Sequence, residues 1–189
     1  ENIKPFLQRT ENILKKMEKS YEIIFALDPS SDNTEEIILD EIKRNKNIKL
    51  LVFSRRFGQP AATIAGIVNC RGSYCVIIDV DLQDPPELIN ELYKKITAGY
   101  EVVYAKRKSR KGETFFKKKI SSFAYYFINK LSDIHIPEDT GDYRIISRKV
   151  IDQLNKLNEK HGFLRGMVAF VGFNQSYVEY DRDKRNAGK

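Results

Sequence analysis

The chain has 189 residues, with 33 Lys and Arg against 26 Asp and Glu, a formal charge of +7. Hydrophobic residues make up 41% and charged residues 31%, with two cysteines, a composition that excludes collagen, wholesale disorder and a disulfide scaffold. No run approaches 18 apolar residues, so no membrane span is predicted, and the excess positive charge suits a polyanionic partner.

Residues 3–19 place apolar side chains at helical spacing. A β-branched and aromatic run at 21–27 ends in the turn Asp28-Pro29-Ser30-Ser31. A helix is predicted over 34–44 with glutamates in its first turn, then a strand over 48–53 and a small-residue helix over 60–70. The most apolar strand spans 74–80; a helix follows over 86–98 and a strand over 100–105. This order predicts an α/β fold: a mostly parallel twisted sheet with helices on both faces. Beyond residue 106 the pattern turns helical, at 114–131, 148–157 and 161–170, before a last strand at 173–180. No linker divides the chain, so a single domain is expected over 1–189.

The chemistry concentrates after the apolar strand, in IIDVDLQDPPELI at 77–89. Two carboxylates two residues apart at a strand end, Asp79 and Asp81, are costly to desolvate together unless a cation neutralises them. Hard ions such as Mg²⁺ or Mn²⁺ take carboxylate oxygens and keep positions free for substrate phosphates. Cys70 and Cys75 lack a zinc spacing and read as plain buried thiols. His135 and His161 stand isolated and read as structural or surface residues. Glycine-rich phosphate loops of the Walker and Rossmann types are absent, as are nucleic-acid motifs, so no nucleic-acid partner is expected.

Seven segments in order resemble the family 2 glycosyltransferases of the GT-A fold, most of all the polyprenyl-phosphate sugar transferases. They are DPSSDNT at 28–34, SRRFGQ at 54–59, DVDLQDPP at 79–86, RKSRKGE at 107–113, DTGDYRIISR at 139–148, FLRG at 163–166 and RDKRNAG at 182–188. The resemblance implies metal-dependent, inverting transfer of a hexose from a nucleoside diphosphate sugar to a polyprenyl phosphate, at the cytoplasmic membrane face. It places Asp28 at the nucleotide base or ribose, although Leu27 and Pro29 depart from the family's turn. Asp79, Asp81 and Gln83 match the metal and diphosphate motif, and Arg56 stands where relatives often carry Asn. Asp142, with Asp139 as the alternative, matches the region beside acceptor and sugar. Arg107, Arg110, Arg182 and Arg185 match basic positions that meet the donor diphosphate and acceptor phosphate.

Two other readings stay open: a transferase acting on a soluble saccharide or protein acceptor, and a catalytically silent domain that binds nucleotide sugar or anionic lipid. Lys and Arg interleave with Phe and Tyr over 106–127, which reads either as a solvated basic helix face backed by buried aromatics or as an interfacial helix that meets an anionic membrane surface. With no span in its own sequence the chain is expected to be soluble by itself, and a homo-oligomer stays open.

The resemblance also implies a domain cut at both ends. The family's first strand, interior to its sheet between the strands here at 21–27 and 74–79, has no counterpart before the helix at residue 3. Three outcomes are expected: the flanking strands pair directly, another chain or segment fills the gap, or the gap stays open; in each case the nucleotide pocket is incomplete and donor binding weak.

Overall fold

The computed structural model describes residues 1–108, 140–157 and 163–182. The expected helix at 114–131, most of the basic-aromatic segment, both histidines, and Arg110, Asp139 and Arg185 lie outside them.

Helix α1 (Ile3–Lys16) buries Ile3, Phe6, Leu7 and Thr10, one stripe at helical spacing. It stops short of the expected end, and Glu18 takes a positive φ of 52° there. Strand β1 (Ile23–Leu27) leads into a self-knit turn: Ser30 Oγ donates to Asp32 Oδ1 at 2.7 Å, and the Thr34 amide donates to the same oxygen at 3.0 Å. Those bonds from Thr34 and Ser30 hold the exposed Asp32 carboxyl down at about 2. Helix α2 (Thr34–Arg44) follows, with Glu35 and Glu36 in its first turn and Lys43 and Arg44 in its last, each sign matched to the helix dipole. Strand β2 (Ile48–Val52) lies parallel to β1, and helix α3 (Gln59–Asn69) opens behind Gly58, whose φ of 88° suits only glycine.

Strand β3 (Tyr74–Ile77) is followed by a single 3₁₀ turn (Pro86–Leu88) and α4 (Ile89–Thr97). Strand β4 (Val102–Arg107), β5 (Thr140–Ser147), α5 (Arg148–Leu154), α6 (Leu164–Phe170) and β6 (Gln175–Tyr180) complete the described chain. The strands form two sheets, β1-β2 and β3-β5-β4-β6. β4 and β6 are parallel, as expected, whereas β5 runs antiparallel to both β3 and β4. The small sheet is parallel and the larger one mixed, and β5, the antiparallel member, is a strand that the helix-dominated reading after residue 106 did not contain.

Alternation along the strands sorts the core of the larger sheet. Val103, Ala105, Tyr143 and Ile145 face α4 through Leu88, Ile89, Leu92 and Ile96. Val102, Tyr104 and Ile146 face the opposite layer, where Ile67, Val150, Ile151, Leu154, Leu164 and Val168 come from α3, α5 and α6. Helices thus cover both faces. A third cluster, Phe6, Leu7, Ile23, Phe25, Ile38 and Ile48, joins α1 and α2 to the small sheet.

Between the sheets the gap stays open, the third expected outcome. Among the described residues each of β1 and β3 pairs on one edge only, with β2 and β5 respectively. A cavity of about 670 Å³ separates them, lined by Ile23–Ala26 of β1 and Tyr74–Ile77 of β3. Phe6, Thr10 and Leu14 of α1 border it, as do Ala62, Thr63 and Gly66 of α3. The buried Thr10 hydroxyl has no hydrogen-bond partner among the described residues. Cys70 and Cys75 also line this slot; both are free and half-buried rather than fully buried. Among the described residues no helix is long and apolar enough to cross a membrane.

Candidate active site

Topology gathers charged side chains at one end of the larger sheet. Ile77 of β3 is in register with Arg144 of β5, so the antiparallel pairing carries Asp142 alongside the segment that continues β3 into Asp79. At the same end of β4 and β6, Arg107 pairs with Tyr180, and Arg182 follows two residues on. Strand ends of this kind are where open α/β sheets bind ligands.

Gln59, the first residue of α3, links the two acidic positions. Its Nε2 donates to Asp79 Oδ1 at 2.9 Å and to Asp142 Oδ2 at 3.5 Å. On its other side Asp142 Oδ1 accepts from Arg165 Nε at 3.1 Å and lies 3.4 Å from Arg144 Nη2. Arg144 is fully buried and also donates to the carbonyls of Asp142 (3.1 Å) and Gly141 (3.0 Å). Its guanidinium stacks over Tyr104, 4.9 Å from the ring centre. Asp142 is therefore held from three directions. Burial raises the Asp79 carboxyl above its ordinary range, and the charges of Asp81, Asp84 and Asp142 raise it further.

Asp84 anchors the other half of the site and is 2% exposed. The Tyr180 hydroxyl donates to it in a short bond, and Arg107 Nε donates to that hydroxyl at 3.3 Å. Burial and the bond to Asp84 push the Tyr180 hydroxyl up to about 12. Arg182 reaches Asp84 Oδ1 with Nε (3.5 Å) and Asp81 Oδ2 with Nη2 (3.7 Å), while Arg107 Nη2 stands 3.8 Å from Asp84. Gly141 makes room for Arg107: a Cβ there would meet Nη2 at 3.2 Å. Asp81 Oδ1 accepts from the Gln83 amide at 3.0 Å, so Gln83 reaches the motif through its backbone.

Of the residues expected from sequence, Asp79, Asp81, Asp142, Arg107 and Arg182 thus converge. Gln59, Asp84, Arg165 and Tyr180 belong with them and were not singled out, although the first three lie within quoted motifs. Asp28 and Arg56 form a second group at the end of β1. The two oxygens of Asp28 accept from the backbone amides of Phe57 (3.0 Å) and Gly58 (2.8 Å), which clamps the loop that launches α3. Those two bonds and the charge of exposed Arg56 hold the Asp28 carboxyl below its usual range. The clamp should therefore persist above the ordinary carboxylate pKa of about 3.9 and be lost only as pH falls through the depressed value. Asp28→Ala is expected to speed hydrogen exchange at the Phe57 and Gly58 amides at neutral pH. Unchanged exchange there would reject the clamp.

Among the described residues no three His, Cys, Asp or Glu side chains are placed to cage a metal by themselves. Asp79 and Asp81 instead offer a few hard oxygens within a cluster whose other carboxylates raise the Asp79 carboxyl. That donor set fits Mg²⁺ or Mn²⁺, which complete their shells with water and phosphate. Four carboxylates (Asp79, Asp81, Asp84, Asp142) face four guanidiniums (Arg107, Arg144, Arg165, Arg182). A site with both signs of charge suits a divalent cation and a phosphate together.

The chain is 46% identical over 96% of its length to an uncharacterized glycosyltransferase of Bacillus subtilis (strain 168), and covers 56% of that protein. It is 39% identical over 88% of its length to the bactoprenol glucosyl transferase of Shigella phage SfX, covering 55% of it. The chain thus spans about half the length of the curated relatives it matches. Among solved structures it is similar to a mannosyltransferase from Pyrobaculum calidifontis in complex with GDP-Man and Mn²⁺. The TM-score is 0.59 at 13% identity, over 96% of this chain and 55% of that one, a likeness of fold. The family model of glycosyl transferase family 2 matches residues 2–154, which include β1 to β5 and every converging residue except Arg165, Tyr180 and Arg182; the chain belongs to that family.

Proposed function

We propose that this domain transfers a hexose from a nucleoside diphosphate sugar to a polyprenyl phosphate, with metal dependence and inversion at C1, at the cytoplasmic face of a membrane. The observation that carries the reading is the convergence of Asp79, Asp81 and Asp142 with Arg107, Arg165 and Arg182 at one sheet end. The relative named a bactoprenol glucosyl transferase supports the lipid-phosphate acceptor.

In transfer, the bond from C1 to the departing diphosphate breaks through an oxocarbenium-like transition state while a bond forms from C1 to an acceptor oxygen. Negative charge grows on the diphosphate. Asp79 and Asp81 would hold the divalent ion, which as a Lewis acid stabilises that charge when bound. Arg107 and Arg182 present planar donors suited to phosphate oxygens and need little reorganisation, because Asp84 and Tyr180 already orient them. Asp142, fixed by Gln59 and Arg165, aligns the acceptor. A phosphate acceptor is already an anion near neutral pH, so Asp142 works by position more than by removing a proton.

The test is a thermal-shift panel of nucleoside diphosphate sugars with and without Mn²⁺, followed by transfer to a short-chain polyprenyl phosphate or to soluble saccharides. A donor at 100 times its Kd should add about 2.7 kcal/mol of stability. Metal-dependent stabilisation with transfer to the lipid phosphate is expected. Transfer only to saccharides would replace the acceptor, and binding without transfer would make the domain a binder.

A further inference from the structure

We propose that Arg182 is a built-in competitor for the cation at Asp81 and that cation binding redirects one prong of its guanidinium toward the substrate's phosphate. The inference deepens the cation-dependent reading above and rests on it.

Arg182 holds two carboxylates with different parts of one planar group: Nε lies 3.5 Å from Asp84 Oδ1, and Nη2 lies 3.7 Å from Asp81 Oδ2. The two carboxylates are not equivalent. Asp84 is buried and already bonded by the Tyr180 hydroxyl, with Arg107 nearby. Asp81 is more open, and its carboxylate would offer the hard oxygens that a divalent ion takes. A dication arriving at Asp81 meets a positive charge already there, and like charges at such a separation repel. Nη2 must then leave Oδ2, while Nε stays with Asp84, which cannot follow. The guanidinium pivots about its buried anchor instead of swinging into solvent. Its freed prong, 31% exposed with the rest of the side chain, faces the same sheet end where Arg107 waits.

Two consequences follow from this geometry. Before the cation arrives, Arg182 neutralises an acidic pair that would otherwise repel itself open. After it arrives, a phosphate-binding group becomes available that was engaged before. Cation and phosphate therefore favour one another's binding through a side chain as well as through direct coordination, a coupling between two ligands carried by one two-position element.

The experiment measures binding of Mn²⁺ alone, by the electron paramagnetic resonance signal of free Mn²⁺, to the 189-residue chain and four variants. Arg182→Ala and Arg182→Gln remove the competing charge and should tighten Mn²⁺ binding by about fivefold, a size moderated by the partial exposure of the pair. Arg182→Lys keeps the charge and should stay within about twofold of the parent. Lys108→Ala removes one positive charge paired instead with Asp181 at 3.9 Å and should also stay within about twofold, separating local competition from a change in net charge. Melting temperatures confirm that each variant is folded, and the glutamine variant serves if the alanine variant is not. Equal or weaker Mn²⁺ binding by both neutral variants overturns the inference and leaves the metal site standing. Equal tightening in Lys108→Ala overturns it as well. If the parent chain and every variant fail to bind Mn²⁺, the cation-dependent reading itself falls, and the competitor with it.

Discussion

Asp81→Asn is expected to lower the rate of sugar transfer at saturating donor by about 10²–10³-fold while leaving the fold intact. Asparagine keeps an oxygen to accept from the Gln83 amide, so the turn after β3 survives. What it loses is the negative charge that binds the divalent ion. Asp81 lies in a loop and its side chain is 18% exposed, so the substitution leaves no buried cavity. Excess Mn²⁺ should restore little, because a neutral amide oxygen is a poorer ligand than a carboxylate for a hard cation. Circular dichroism would confirm the fold, and release of nucleoside diphosphate would report the rate. A parent-like rate in excess metal would remove Asp81 from the mechanism.

The slot between β1 and β3 leads to the second large effect. Among the described residues, the five residues of β1 and the four of β3 each have one edge without a strand partner, and both edges face it. Helix α1 runs along the slot through Phe6, Thr10 and Leu14. A strand joined to the start of α1 by a short turn would therefore run back beneath that helix, between the two edges. Fusing about ten residues of strand-forming sequence ahead of Glu1, enough for one strand and a turn, should place backbone partners on both sides. At roughly 0.5–1.5 kcal/mol per hydrogen bond, a strand bonded on both edges should add on the order of 5 kcal/mol. For a domain of this size that corresponds to a rise of about 10–20 °C in melting temperature. Donor binding should tighten as well, because Asp28 and Asp79 follow the strands that the slot now separates. An unchanged melting temperature, with the β1 and β3 amides still exchanging freely, would refute the idea.

The sequence was most legible where one physical signal dominated. Apolar periodicity and turn chemistry located every described α-helix and strand from α1 through β4 to within a few residues. The strand β5 was not legible for a specific reason. Arg144 interrupts its apolar run, and a charged residue at a strand centre argues against burial until its partners are seen. Those partners are the carbonyls of Gly141 and Asp142 and the face of Tyr104, contacts that exist only once β5 and β4 are paired.

The candidate site divided in the same way. Asp79 and Asp81 could be read because two carboxylates beside an apolar strand demand a counter-charge. Asp84, three residues on, looked like part of a helix entry, and nothing in its neighbourhood announced that Tyr180 and Arg182 would close over it. Gln59 and Arg165 lay in motifs that were noticed as strings. Their role depends on α3 and α6 both pointing a first-turn residue at Asp142, which is a property of the packed fold.

The position of β5 also has a consequence for how the chain reaches its native state. β1 and β2 pair within residues 23–52, so the small sheet can form early in synthesis. The larger sheet cannot form in that order, because β3 and β4 flank β5 and are not neighbours of each other. From the emergence of Ile77 to that of Ser147 the ribosome adds 70 residues, roughly 4–14 s at ordinary elongation rates. Throughout that interval β3 and β4 have α4 to cover apolar side chains but no strand to satisfy the backbone between them. The nascent chain thus carries one paired sheet beside two strands that wait, and the arrival of a single antiparallel strand joins β3 to β4 and brings Asp142 opposite Asp79 in the same event.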